Sequence, residues 1–351
     1  MTKHIRLIAV LSLTITWLAG CQKEIISVGP AVQDYFYLEN QGAKMPVLVE
    51  GNTASGTIVV WVHGGPGGTA IGFENDDSST KYLESNFGVA YWDQRAAGGS
   101  QGSNTPPLAL SQYADDLKKL VLLLKYRYGS QTKIFLLSHS WGGLVAPAFL
   151  TNGTNQQLVR GWINVAGAHN YSANDSLTRA YLLQFGKDQI AKSVHTAEWQ
   201  KIVDYAQSHV PNNFDLTVSR ALNACASEAE GYIDDIQTNS GTGVGGLFST
   251  KKTAFSLFWF VSNAGATYFS DLNKDVLRAE YSSKLGRITV PLLCITGKYD
   301  FTVPRGLADE VMQKTASARK KLVILPRSGH ICMDNEPIPF YEAVVAFIRQ
   351  N

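Results

Sequence analysis

Six short runs in this chain are almost continuously apolar: Thr57–His63, Gly88–Trp92, Lys133–Ser138, Gly161–Ala166, Pro291–Thr296 and Lys321–Leu325. None alternates apolar with polar positions. A strand with one wet face alternates, whereas a strand covered on both faces does not, as in a parallel sheet packed under helices. Helical patterns fall between the runs. Ser111 is placed to cap a helix with Asp115 and Asp116 in its early turns. Tyr113, Leu117, Leu120, Val121 and Leu124 then recur at helical spacing, and Gly129 ends it. Trp141–Leu150 reads as a second helix, and Phe340, Val344, Phe347 and Ile348 mark an amphipathic C-terminal one. This alternation predicts an α/β fold with a mostly parallel, doubly wound sheet. Ahead of it, Tyr35–Leu38 and Pro46–Glu50 read as short antiparallel strands, followed by a turn-rich stretch over 51–56.

Residues 169–286 break the alternation. Trp199, Ile202, Val203 and Tyr205 fit one helix and Phe255–Phe260 another, with the glycine-rich stretch Ser240–Gly246 between them. The expected organisation is a core of residues 21–168 and 287–351, interrupted by a helical cap over 169–286. No internal repeat is evident.

The first twenty residues stand apart. Lys3 and Arg6 precede a nearly unbroken apolar stretch from Ile5 to Ala19, which ends in Leu18-Ala19-Gly20-Cys21. A basic start, an apolar stretch too short for a comfortable span and a small-residue ending read as an export signal. The ending resembles a bacterial lipobox, with residues 1–20 removed and Cys21 lipidated. A plain signal peptide or an N-terminal anchor is the alternative. Gln22 resembles the residue that sends lipoproteins to the outer membrane, so the expected location is the cell envelope. Cleavage before Cys21 removes two basic residues and no acid, taking the formal charge from +2 to zero. A neutral chain has no electrostatic case for nucleic acid.

With 351 residues, 45% apolar and 17% charged, the composition is that of an ordinary globular protein. Besides Cys21 it has Cys225, Cys294 and Cys332, which lack metal-ligand spacing. Cys294 and Cys332 are the pair whose positions best suit a bridge; three buried thiols are the alternative.

The candidate chemistry begins at Ser138-His139-Ser140-Trp141-Gly142, which leaves an apolar strand and opens a helix. That context suits a nucleophile elbow, a tight turn that lifts Ser140 clear of the sheet and needs small residues two places to either side. A helix-capping serine is the plainer reading. A nucleophilic serine needs a base and a group to orient it. Asp300 lies just past the strand PLLCIT, and His330 in the loop after KLVIL. Both stand at carboxyl ends of strands, in the order Ser, Asp, His expected of such folds. Asp334 is expected to cap the last helix; His63 and His139 to organise backbone; His169 has no partner pattern. Attack on a carbonyl also needs donors for the oxyanion. The Trp141 N–H supplies one. The turn His63-Gly-Gly-Pro-Gly-Gly68 supplies the other, placed at Gly65 with Gly64 beside it. A phosphate cradle is excluded by the missing G-K-[ST].

His63–Gly68, Asp93-Gln94-Arg95-Ala96-Ala97-Gly98-Gly99-Ser100 and Ser140-Trp141-Gly142 resemble the proline iminopeptidase branch of the α/β-hydrolases, over about residues 57–150 and 287–340. The resemblance implies an α/β-hydrolase fold with a helical cap and acyl-enzyme chemistry. It also implies a structural loop fixed by buried pairing of Asp93 and Arg95. Two departures stand out: Ala96 follows DQR where the family has Gly, and Ser138-His139 replaces Gly-Gly. Family members that cleave N-terminal residues hold the substrate ammonium with cap carboxylates, for which Glu228 and Glu230 are the nearest candidates; a solvated helix face is the alternative. Phe258, Trp259, Phe260, Tyr268 and Phe269 suit the wall of an apolar pocket, or core.

The leading expectation is a serine hydrolase that releases N-terminal proline or another small residue from short peptides, with no metal and no cofactor. The rivals are an esterase, lactonase or amidase of an uncharged small molecule, and a non-catalytic envelope binding protein.

Overall fold

A computed structural model describes residues 32–73, 78–102, 108–211, 215–237 and 257–351. The lipobox with Cys21 and the stretch Ser240–Gly246 lie outside them. The strands are β1 (Val32–Asn40), β2 (Ala43–Gly51), β3 (Thr57–Val62), β4 (Gly88–Trp92), β5 (Gln101–Gly102), β6 (Lys133–His139), β7 (Gly161–Val165), β8 (Leu292–Gly297) and β9 (Lys320–Leu325). They form one sheet in the order β1-β2-β4-β3-β6-β7-β8-β9, with β5 beside β2. β1, β2 and β4 pair antiparallel, while β4-β3 and every later pair are parallel.

The parallel strands are buried on both faces, as their unbroken apolar runs require. On one side Val60, Val62 and Leu136 pack under α2 (Leu110–Tyr128) and α3 (Gly142–Leu150). On the other, Val59, Trp61 and Leu137 pack under α1 (Ser78–Asn86) and the C-terminal helix α11 (Pro337–Arg349). Helix α2 starts one residue before Ser111. Its N-cap is Ala109, which makes no side-chain cap bond, so Ser111 is inside the helix and not its cap. Gly129 ends α2 as expected. Asp334 belongs to the short helix α10 (Cys332–Asn335), and the N-cap of α11 is Glu336. The elements between β9 and α11 are thus one more than the sequence suggests. Cys294 and Cys332 are buried free thiols and are not bridged, while Cys225 is half-buried.

Between β7 and β8 run α4 (Tyr171–Ala191), α5 (Thr196–Ser208), α6 (Leu216–Glu230), α7 (Leu257–Tyr268) and α8 (Leu272–Arg278); α9 (Gly306–Lys314) follows β8. Leu182, Trp199, Ile202, Leu222 and Ala226 from α4 to α6 make a separate apolar cluster. Tyr299 and Phe301, from the loop after β8, are inserted into it. Helix α7 sits elsewhere: Thr267 Oγ1 donates to Ala96 O at 2.7 Å and Asn263 Nδ2 to Ser100 O at 2.9 Å. Phe258, Tyr268 and Phe269 on and after α7 are 73%, 53% and 86% exposed, so they are neither core nor an enclosed pocket wall.

Candidate active site

The chain turns sharply between β6 and α3, and Ser140 takes φ +54° there. A side chain in that region is strained, and the strain persists only where the surroundings impose it. A Cβ on Gly142 would stand 2.3 Å from Val62 O and one on Gly143 2.4 Å from Gly167 Cα, so both positions must stay bare. Ser138 is buried, and its Oγ accepts the Trp162 indole N–H at 2.8 Å, which accounts for serine where the related pattern has glycine.

Ser140 Oγ lies 2.9 Å from His330 Nε2. His330 Nδ1 spans the two Asp300 oxygens at 3.2 and 3.1 Å. The three residues expected from sequence therefore meet, across 190 residues of chain. Burial pulls the His330 pKa down, but the Asp300 charge and hydrogen bond, with the Glu230 charge behind them, outweigh it and leave it raised. Asp300 is fully buried and also accepts the Val303 N–H at 2.7 Å. His139 packs its ring against that of His330, centroids 4.9 Å apart, with Nε2 3.2 Å from His330 O.

The glycine turn crosses directly over the nucleophile: a Cβ on Gly64 would stand 3.1 Å from Ser140 Cβ. Gly65 has φ +133°. Neither the Gly65 nor the Trp141 backbone N–H has an acceptor among the described residues. Both remain available as donors.

Gln94, which the sequence reading passed over, ties this turn to the elbow. Its Oε1 accepts the Trp141 indole N–H at 2.9 Å, and its Nε2 donates to His63 O at 3.0 Å. Its backbone N–H donates to His63 Nε2 at 3.1 Å, so His63 carries its proton on Nδ1, toward Gly64 O. Burial lowers the His63 pKa and keeps the ring neutral. The signal was in the sequence: Gln94 is the middle residue of the motif whose flanking charges drew attention.

Those charges do not pair with each other. Asp93 accepts from Thr69 Oγ1, Ala70 N, Ile71 N and Gly99 N at 2.7–3.1 Å. Arg95 makes a two-pronged bond to Asp116, 2.9 Å on each prong, and donates to Asn40 O. Asp116 thus serves a buried ion pair rather than the helix start. His169, which lacked a partner pattern, lies 2.8 Å from Glu310 Oε2.

Glu228 and Glu230 are not a pair either. Glu228 turns outward to the Tyr232 hydroxyl, 2.7 Å away. Glu230 turns inward, to the His330 backbone N–H at 2.8 Å and the Phe301 N–H at 3.2 Å. Burial first, then the nearby Asp300 charge, raises its pKa to about 7.

The sheet order, the strained serine turn between β6 and α3, and the helices between β7 and β8 decide the fold. The chain is an α/β hydrolase in fold. The family described as serine aminopeptidase, S33, matches residues 55–210. A probable aminopeptidase, YbaC, of Bacillus subtilis (strain 168) is 20% identical, over 88% of this chain and 94% of its own. A proline iminopeptidase of Saccharolobus solfataricus is 25% identical, over 83% and 84%. The crystal structure of a proline iminopeptidase-related protein from Thermus thermophilus superposes with a TM-score of 0.60 at 21% identity, covering 91% of this chain and 98% of its own.

Proposed function

We propose that this protein is a serine hydrolase that works through an acyl-enzyme and releases an N-terminal residue, proline or another small one, from short peptides. The observation that carries the chemistry is His330, with Nε2 2.9 Å from Ser140 Oγ and Nδ1 on Asp300. Ser140 Oγ attacks the scissile carbonyl carbon as its proton passes to His330 Nε2. Asp300 holds the ring and stabilises the imidazolium. The Gly65 and Trp141 N–H groups receive the oxyanion. His330 then gives its proton to the leaving amine, and water cleaves the ester to Ser140 by the same path. No step in this sequence calls on a metal or cofactor.

The peptidase reading draws on the serine aminopeptidase match and on Glu230. This carboxylate lies beside His330 and has no Lys or Arg partner among the described residues, so it favours a substrate cation nearby. A second reading, an esterase of an uncharged substrate, draws on the same residue: its oxygens already face main-chain donors, and Glu228 faces away. We further propose export as a lipoprotein anchored through Cys21, on the strength of Leu18-Ala19-Gly20-Cys21. Incorporation of labelled fatty acid, lost in Cys21→Ala, is the check.

The test of function compares kcat/KM of the full chain on a prolyl arylamide, its N-acetylated form, an alanyl arylamide and a short-chain aryl ester, with Ser140→Ala as control. Prolyl turnover abolished by N-acetylation supports the peptidase. Turnover of the ester alone supports the esterase. Activity that survives in Ser140→Ala sinks both.

A further inference from the structure

The inserted helices α4 to α6 grip the loop that carries Asp300. Asp300 sits between Tyr299 and Phe301, and both neighbours are embedded in the apolar cluster of α4, α5 and α6. Phe301 is fully buried, with its ring 4.7 Å from that of Tyr181 and 5.2 Å from that of Phe185. The loop bearing the acid is therefore held as much by the cap as by β8. The loop bearing His330 has no comparable apolar insertion into that cluster. It meets the segment after α6 at Arg327, whose O accepts the Gln237 N–H at 2.9 Å, and it meets α6 itself through Glu230, the last residue of that helix.

Oε2 of Glu230 accepts the His330 N–H at 2.8 Å, and Oε1 accepts the Phe301 N–H at 3.2 Å, with Thr302 Oγ1 at 3.5 Å. One carboxylate thus spans the Asp300 and His330 loops, adding to the direct bond from the Tyr299 N–H to Ser328 O at 2.9 Å. The fit is close: a Cβ on Gly329 would fall 2.1 Å from Glu230 Oε2.

We propose that Glu230 is a positioning residue, a clamp from the cap that sets the Asp300 loop against the His330 loop and so aligns the acid–base pair behind Ser140. This rests on the serine-hydrolase reading and goes beyond it, because the clamp acts whether or not the substrate carries an ammonium. A rigid two-oxygen acceptor suits the task, since a fixed carboxylate holds two donors at once and charge-assisted bonds are the stronger kind. Misplacing a catalytic group by about 1 Å can cost a hundredfold in rate.

The test uses two variants of the full chain. Glu230→Gln keeps the shape, but its amide offers only one acceptor to the two N–H donors. Gly329→Ala leaves Glu230 intact and drives it from its seat. Each is assayed by the rate at which an alkyl fluorophosphonate labels Ser140 and by turnover of an aryl ester, neither of which presents an ammonium. The expected result is a fall of about ten- to a hundredfold in labelling rate and in kcat, with little change in KM. In Glu230→Gln the acid limb of the pH profile also moves to lower pH, because Asp300 then remains as the carboxylate raising His330, with neutral His139 on its other side. Labelling and ester turnover equal to wild type in Glu230→Gln overturn the proposal. So does a loss confined to KM for free-amine substrates, which makes Glu230 an ammonium ligand and nothing more. Wild-type protein that is not labelled at Ser140 overturns the serine-hydrolase reading itself, and this one with it.

Discussion

Trp162, in the middle of β7, gives its indole N–H to Ser138 on the neighbouring strand β6, and both residues are fully enclosed. The bond sits two residues before the strained Ser140. A buried donor left without an acceptor costs about 1–3 kcal/mol, whereas removing both partners is close to neutral. Ser138→Ala is therefore expected to lose roughly that much stability, and Ser138→Ala with Trp162→Phe to lose less than the two single changes together. Urea unfolding of the four proteins measures the coupling. Strict additivity would refute it. The value of kcat is expected to hold within about twofold in Ser138→Ala, since alanine is also small enough for the elbow.

Neighbouring aspartates on α2 should behave in opposite ways. Asp116 is buried under the two prongs of Arg95, while Asp115 is more than a third exposed, 3.8 Å from Lys119, and takes only a share of the Asn40 amide, at 2.9 Å against 2.6 Å to Asp116. Removing one member of a buried pair strands the other charge, at about 3–5 kcal/mol. An exposed pair is worth under about 1 kcal/mol. Asp116→Ala should unfold at much lower urea than wild type, and Asp115→Ala near it. Equal midpoints for the two would show that Arg95 finds another partner or reaches water.

That contrast marks where the sequence was readable. The parallel strands were plain because burial on both faces leaves unbroken apolar runs such as TIVVWV in β3. Ser140 was plain because a strand, a small residue and a helix follow one another within a few positions. Asp300 and His330 were found by their places after β8 and β9. Asp116 was not, because an aspartate early in a helix already has a local explanation, and its true partner, Arg95, lies 21 residues away. Glu230 stands out in the sequence by its charge and by Glu228 two residues before it, but the two carboxylates face apart. Glu230 bonds main-chain N–H groups 71 and 100 residues distant, and a backbone donor leaves no trace in residue type. The exposed aromatics of α7 carried the same ambiguity, since apolarity alone does not say which face is covered.

Under the proposed mechanism, the pH dependence of catalysis follows from which form of His330 is active. The base must be neutral to take the Ser140 proton, so kcat/KM falls as pH drops through the His330 pKa. Burial lowers that pKa, yet the charges of Asp300 and Glu230 carry it above the ordinary 6.5. The acid limb measured on the preferred substrate should have its midpoint above 6.5, and Asp300→Asn should move it down while lowering kcat by on the order of 10⁴. A wild-type midpoint below 6.5 would mean that Asp300 does not hold the imidazole as the structure has it.

His139 makes a separate prediction, for stability rather than rate. Its Nε2 faces the carbonyl oxygen of His330, which can only accept, so Nε2 carries the proton and the ring is neutral. Burial, reinforced by the charge His330 can carry, holds the pKa at about 3, against an ordinary 6.5. Between those values the unfolded chain binds a proton at this histidine and the folded chain does not. Stability contributed here is full above pH 6.5 and drains away as pH falls toward 3. At pH 4.5, two units below the ordinary value, the loss from this one group is about 3 kcal/mol. His139→Gln keeps an N–H for the His330 carbonyl and removes the titration. The variant should start lower than wild type at pH 7 but lose less of its Tm on going to pH 4.5, so the two curves converge in acid. Parallel curves over that range would mean that His139 is protonated in the folded protein, and that its contact with His330 O is made by a charged ring.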